Sequence, residues 1–429
     1  MTNKTISAPS LPMSEQYDVL RAPISVGTLQ IPNRLAVQPM EGCDGQANGA
    51  PGPLTRRRYK RFAKGGAGLI WAEATAIVPE GRANPRQLML TKETLGDFQA
   101  MVQDIKETCL LENGYTPAVI LQATHSGRYS KPMGTPAPMI AYHNPIFEKN
   151  APIPDDAIVT DDYLKSLPEF FAKTAALAQE AGFDGVDIKC CHRYLLSELM
   201  SAYARKGLYG GSLENRARLL FDAVRAAQGA TKGGFIVTTR MNVYDGFPYP
   251  YGFGVSKDGG LAEDLREPLQ IIDTLHNTCH MPIIDITIGN PYVNPHVNRP
   301  FDAGPYQPPE DPAVGVERMC RCVGAVQSAF PKLLVVGSGM SYPKQDSAKL
   351  AAGCVSNNIC AIAGFGRMAI AYPDFARDIL SGRGLDAKQC CVCCSKCSSL
   401  MRHGTVSGCV VRDSETYLPY YKQAVLGKE

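Results

Sequence analysis

The chain has 429 residues, of which 45% are apolar and 20% charged, with a formal net charge of +3. That balance is ordinary for a soluble globular protein and argues against a nucleic-acid partner, whose phosphates demand a concentrated basic surface. No window of about 20 apolar residues occurs, so no membrane span is expected. The N-terminal MTNKTISAPSLPMSEQ lacks the charged-then-apolar layout of a signal peptide, which makes a cytoplasmic location the expectation.

Short apolar runs alternate with helical patterns along most of the chain. Strands are expected at 35–40, 68–74, 118–123, 185–189, 235–241, 282–288, 333–337 and 359–364. The intervening helices are clearest at 161–180, 214–228 and 312–330. Eight strands with helical crossovers predict an α/β fold of the (β/α)8 TIM barrel type over residues 1–385, followed by a short cysteine-rich segment at 386–429. The basic run RRRYKR at 56–61 opens a helix and reads as a solvated face. The connection at 290–311, rich in Pro, Asn and Tyr, is long enough to be a lid or a plain insertion.

Barrel enzymes place their chemistry just past the strand ends. The fourth strand, GVDIK, is followed by His192 and Tyr194, so Lys189, His192 and Tyr194 offer hydrogen bonds or protons within six residues. On the fifth strand Arg240 points at the barrel mouth, an expensive placement unless it faces an anion; a structural ion pair is the alternative. The seventh and eighth strands end in Gly337-Ser338-Gly339 and Gly366-Arg367. Barrels commonly hold phosphate there, because glycine lets backbone N–H groups approach and an arginine adds a matching charge.

Fifteen cysteines are many for a protein of a reducing compartment, and six of them fall between Cys390 and Cys409. Cys390, Cys393, Cys397 and Cys409 give the spacing C-x2-C-x3-C-x11-C, suited to a metal centre. A register through Cys391 and Cys394 is also open, and a four-cysteine zinc site is the structural alternative to iron and sulfur.

KCCHRY and YGGSLENR together resemble the HxxHxY … YGGSxENR segment of the old yellow enzymes, flavin-dependent ene-reductases. Lys189 stands where that motif has its first His. The resemblance implies FMN bound non-covalently against Pro39 and Met40, with Ala74 giving it room. It also implies Gln122 on the pyrimidine side, Arg240 beside the N1 edge, and Gly337, Ser338, Gly339, Gly366 and Arg367 around the phosphate. The cysteine spacing resembles the [4Fe–4S] site of 2,4-dienoyl-CoA reductase, 2-enoate reductases and trimethylamine dehydrogenase, which share this flavin barrel.

The expected activity is therefore reduction of an activated C=C bond in a small unsaturated substrate. Lys189 and His192 would hold the substrate oxygen and Tyr194 would protonate carbon. Those relatives continue into FAD- and NAD(P)H-binding domains, whereas this sequence carries no strand-borne G-x-G-x-x-G with a downstream acid. Electrons are then expected from a separate donor protein or directly from NAD(P)H. Amine dehydrogenation, which calls for an aromatic cage, and a non-catalytic electron-transfer role are the alternatives. Self-association is left open.

Overall fold

A computed structural model describes residues 10–428; the first nine residues, on which part of the signal-peptide reading rests, lie outside the described residues. The barrel strands are β1 (Leu35–Val37), β2 (Leu69–Ala76), β3 (Ala118–Thr124), β4 (Gly185–Ile188), β5 (in two segments, Ile236–Thr238 and Arg240–Asn242), β6 (Ile283–Thr287), β7 (Leu334–Gly337) and β8 (Ile362–Phe365). All pair in parallel, each with its sequence neighbours, and β8 returns to β1.

The sheet closes through β5. Its first segment pairs with β4 and its second with β6, and Thr239 between them breaks the ladder without ending the strand. Thr239 keeps both neighbours: its carbonyl accepts from the Asp285 N–H (3.1 Å) and its Oγ1 donates to the Ile188 carbonyl (2.6 Å). The expected (β/α)8 barrel is thus the observed architecture.

Alternation along the strands sorts side chains into two cores, because successive residues face opposite sides. Ala36, Leu69, Trp71, Ile120, Ile236, Ile283, Val336 and Ile362 fill the barrel interior, together with Val26 and Ile31 from a hairpin (Ile24–Val26 and Leu29–Ile31). Leu35, Val37, Ile70, Val119, Ile284 and Val335 face outward into the larger core under the helices. The helices include α1 (Pro53–Lys64), α2 (Leu95–Asn113), α3 (Asp161–Glu180), α4 (Leu213–Gly229), α5 (Arg266–Asp273), α6 (Pro312–Ala329) and α7 (Ser347–Ser356). Side-chain caps fix several starts, as at α3, where Thr160 Oγ1 accepts from the Tyr163 N–H (3.1 Å), and at α6, where Asp311 accepts from Ala313 (2.8 Å).

The segment after residue 386 supplies α8 (Lys396–Arg402) and α9 (Ser414–Leu426), which enclose a small core of Leu400, Val406, Val410 and Tyr417. It is fastened to the barrel by the basic run on α1, and the reading of that run as a solvated face is corrected here. Arg57 binds Asp413 through both terminal nitrogens (2.7 and 3.0 Å), Arg61 reaches the same carboxylate, and Arg58 is buried against Asp44 and Glu73. Among these residues Lys60 alone is exposed. Net charge could not reveal this, because the acids that neutralise the run lie elsewhere in the sequence.

No helix among the described residues is long and apolar enough to cross a membrane.

Candidate active site

One cavity opens at the C-terminal ends of the strands, where barrel chemistry is expected. Its wall brings together Pro39, Met40, Gln122, Lys189, His192, Tyr194, Arg240, Ser338, Gly339, Gly366, Arg367 and Cys397. Ala74 lies behind this wall, fully packed in β2 beside a register shift of the β2–β3 ladder, and Gly337 lies within β7. The cavity wall also carries residues that no motif singled out, chiefly Glu41, Tyr292, Asn298 and Arg299. Glu41 sits just past β1 and could have been found by the same strand-end rule that picked out Lys189. Tyr292, Asn298 and Arg299 come from 290–311, which carries no short-range signal for what it faces.

That connection roofs the cavity. The Asn290 side-chain amide donates to the Tyr129 hydroxyl (3.1 Å) and to the His192 carbonyl (3.2 Å), while Phe301 is buried. His192 and Arg193 both have positive φ, 63° and 62°, a conformation that side chains other than glycine adopt at a cost. Two partners hold it: Asn242 Oδ1 accepts from the His192 N–H (3.2 Å), and the wholly buried Arg193 pairs with Asp245 (3.2 Å). The strained turn swings the His192 ring toward the cavity.

His192 is neutral: burial pushes its pKa well below the ordinary value, and the charges of Arg240 and Lys189 push the same way. Asn298 Nδ2, which can only donate, stands 3.2 Å from His192 Nε2. The same Nδ2 also donates to the Ile288 carbonyl (2.8 Å) and to Thr287 Oγ1 (3.2 Å), so its two hydrogens are shared among three acceptors. Burial also lowers the Lys189 pKa, with Glu41 opposing it. Neither Asp187 nor Glu198 is the partner of Lys189: Asp187 accepts from Trp71 (2.9 Å) and Gln122 (2.7 Å), and Glu198 binds Arg128. Burial holds the Tyr194 phenol well above its usual value, and the Glu41 charge adds to that.

Deeper in, Arg240 Nε pairs with Asp285 (3.0 Å) while its guanidinium still lines the cavity. Burial pushes Asp285 up to about 7, against the pull of Arg240. Arg240 thus makes the structural ion pair and faces the mouth as well.

At the opposite end the backbone lies bare between Gly339, at φ +86°, and Gly366, where an added Cβ would stand 3.1 Å from Met40 Sδ. Arg367 donates through Nη2 to the Pro300 carbonyl (2.7 Å), while its buried Nη1 has no partner. An unpaired guanidinium nitrogen beside half-buried glycine backbone on the cavity wall fits a phosphate monoester.

The cysteine run borders the same corner. Burial would depress the Arg367 pKa, but Cys393, Cys391, Cys397 and Cys394 stand close enough to outweigh it, and Cys409 lies near Cys397 and Cys391. Cys390 is packed into the main core. Among the described residues no three His, Cys, Asp or Glu side chains converge to the spacing that a single metal ion needs.

Residues 19–285 match the NADH:flavin oxidoreductase / NADH oxidase family. The chain belongs to that family. Among the family's curated members, an NADPH dehydrogenase of Bacillus licheniformis is 30% identical over 254 residues, covering 58% of this chain and 70% of that one. Solved structures with the same fold include 2-naphthoyl-CoA reductase in complex with 2-naphthoyl-CoA (TM-score 0.73, 19% identity, 92% of this chain and 57% of that one). A histamine dehydrogenase from Rhizobium sp. 4-9 is similar too (TM-score 0.69, 19% identity, 92% and 52%). The chain thus spans little more than half the length of those two proteins. A reductase and an amine dehydrogenase share this family fold, so the fold does not choose between their chemistries.

Proposed function

We propose that this family member reduces activated C=C bonds in enones, enoates or enoyl thioesters, with Tyr194 as proton donor and Lys189 and His192 holding the activating oxygen. One observation carries the reading: the Lys189 ammonium and the neutral His192 share a wall with a Tyr194 that keeps its proton. Donors aimed at one oxygen stabilise charge that develops there, and a protonated phenol suits delivery to carbon.

FMN, when bound, supplies the hydride chemistry. Its proposed cradle is Pro39, Met40, Ala74, Gln122 and Arg240 for the ring, with Gly337, Ser338, Gly339, Gly366 and Arg367 for the phosphate. The unpartnered Arg367 Nη1 supports the phosphate end. Residues 386–429 are proposed as a cluster-bearing unit, with Cys390, Cys393, Cys397 and Cys409 as ligands of a [4Fe–4S] cluster and Cys391 and Cys394 as substitutes. The grouping of Cys391, Cys393, Cys394 and Cys397 beside Arg367, with Cys409 near Cys397, supports it, since four thiolates on a cube stand farther apart than on one ion. NADPH is the proposed reductant by analogy with the Bacillus relative's name, with a donor protein as the alternative.

The tyrosine cluster of Tyr129, Tyr194 and Tyr292 favours a second reading, an aromatic cage for an amine substrate. Lys189 counts against it, because its own ammonium already stands over the Tyr194 ring. The test is anaerobic: the reduced, FMN-loaded protein is mixed with a panel of enones, enoates and enoyl thioesters, and the oxidised protein with alkylamines. Reoxidation by an alkene is expected. Reduction by amines, with no response to alkenes, would overturn the proposal.

A further inference from the structure

Glu41 lies one residue past Met40, and its Oε1 accepts from Gln87 Nε2 at 2.9 Å. It belongs to two cavities at once. One is the active-site cavity; the other opens among Asn84, Arg86, Lys131, Arg402 and Gly404. Tyr292 stands on the same dividing wall. Its hydroxyl is 2.9 Å from the Tyr194 hydroxyl, and its ring stacks on Tyr129 with centroids 3.9 Å apart. The Tyr292 phenol and the Glu41 carboxyl therefore stand on the partition between the active-site cavity and a second cavity with a polar rim.

We propose that Glu41 and Tyr292 reload Tyr194 with protons from the second cavity. The inference rests on the reading of Tyr194 as the proton donor. When the Tyr194 O–H bond breaks and a C–H bond forms, a phenolate is left at a hydroxyl almost sealed from water, with Tyr194 only 2% exposed. The phenolate takes the Tyr292 proton; Glu41, which stands on the same wall and acts on both tyrosines, replaces it, and the carboxylate is reprotonated by water in the second cavity. Each step moves one proton and no electrons.

Glu41 must carry a proton for this to work. Burial raises its pKa, and Lys189, Gln87 and Tyr194 lower it by lesser amounts. The groups facing it are Lys189 from the end of β4, Tyr194 after it, Tyr292 from the roof, Gln87 from the connection after β2, and Cys43 on its own loop; Arg402 and His403 stand on the rim of the second cavity. The competing role is a permanent carboxylate that merely balances Lys189. Glu41 acts through Tyr194, so the readouts must separate proton supply from shape.

The test follows successive turnovers of holoenzyme with 2-cyclohexen-1-one and excess reductant under anaerobic conditions across a pH series, because the first turnover spends the proton already on Tyr194 and only later ones need the relay. For wild type, turnover after the first should slow as pH rises through the Glu41 pKa, since the relay is loaded only below it. Glu41→Gln keeps the shape and should lower the rate about 10- to 100-fold, the order that proton transfer contributes, and flatten the profile. Glu41→Asp should restore part of the slope, and Tyr292→Phe should match Glu41→Gln without adding to it in the double variant. Difference infrared spectra should show a protonated carboxyl band in wild type that is missing from Glu41→Gln. Equal rates and profiles for wild type and Glu41→Gln, or a Glu41 ionised throughout the series, would overturn the relay while leaving Tyr194 as donor. A wild type that no alkene reoxidises would overturn both.

Discussion

The Lys189 side-chain nitrogen stands 3.7 Å from the centroid of the Tyr194 ring. The strand-end lysine and the tyrosine five residues later are therefore one unit. A cation over an aromatic face is attracted to the ring quadrupole, the more so when both are desolvated. Were Tyr194 to lose its proton, the same ammonium would face a phenolate.

Tyr194→Phe should leave flavin content and reducibility unchanged and slow reoxidation by an alkene about 10²- to 10⁴-fold, the usual cost of losing a general acid. Stopped-flow flavin absorbance reads both half-reactions. An unaffected oxidative half-reaction would remove Tyr194 from the proposed role.

Lys189→His should discriminate among substrates. An imidazole at this site, being neutral like His192, donates one hydrogen bond where the ammonium donates up to three and adds charge. The carboxylate member of a matched ketone and carboxylate pair should lose more. The same change removes the cation that holds Glu41 down, so the pKa of Glu41 should rise further and the turnover profile should extend to higher pH. Equal losses on both substrates would mean that Lys189 only shapes the cavity.

Arg367→Ala should weaken FMN about 10- to 100-fold, the scale of a charge-assisted hydrogen bond, and should weaken riboflavin much less. Fluorescence titration of deflavinated protein measures both. Equal weakening of the two flavins would place Arg367 away from the phosphate.

The cysteine registers are separable by iron and sulfide analysis of anaerobically purified variants. Cys397→Ser and Cys409→Ser, common to both registers, should lose the cluster. Loss in Cys390→Ser and Cys393→Ser with retention in Cys391→Ser and Cys394→Ser would support the proposed ligands, and the reverse pattern would assign the alternative. Zinc in place of iron would sink the cluster proposal.

Attachment of the C-terminal segment should depend on pH through Asp413. Burial pushes this carboxyl up, but Arg57 and Arg61 outweigh it and hold its pKa below the ordinary value. A depressed native pKa stabilises the docked form at all pH values above the unfolded pKa, and that contribution is lost as pH falls through the native one. Limited proteolysis between Leu380 and Lys396 should therefore accelerate only in strongly acidic solution, and Asp413→Asn should show the faster cleavage already at neutral pH. Identical cleavage rates for Asp413→Asn and wild type would show that the small core around Leu400 and Tyr417 suffices.

The barrel was legible in the sequence because its determinants are local. Buried parallel strands such as AVILQAT and IIDIT announce themselves as apolar runs, and turn and cap residues such as Thr160 and Asp311 mark where the crossovers begin. The residues past the strand ends followed from the fold, since closing a parallel barrel collects those ends at one mouth. What the tertiary structure alone decided were pairings between residues far apart in the chain. The basic run on α1 met Asp413 more than 350 residues later, and Tyr292 came down from the roof onto Tyr194. Local propensity carries no information about such contacts, because the side chains meet only after the chain between them has folded. Their strength depends on the burial that this folding creates.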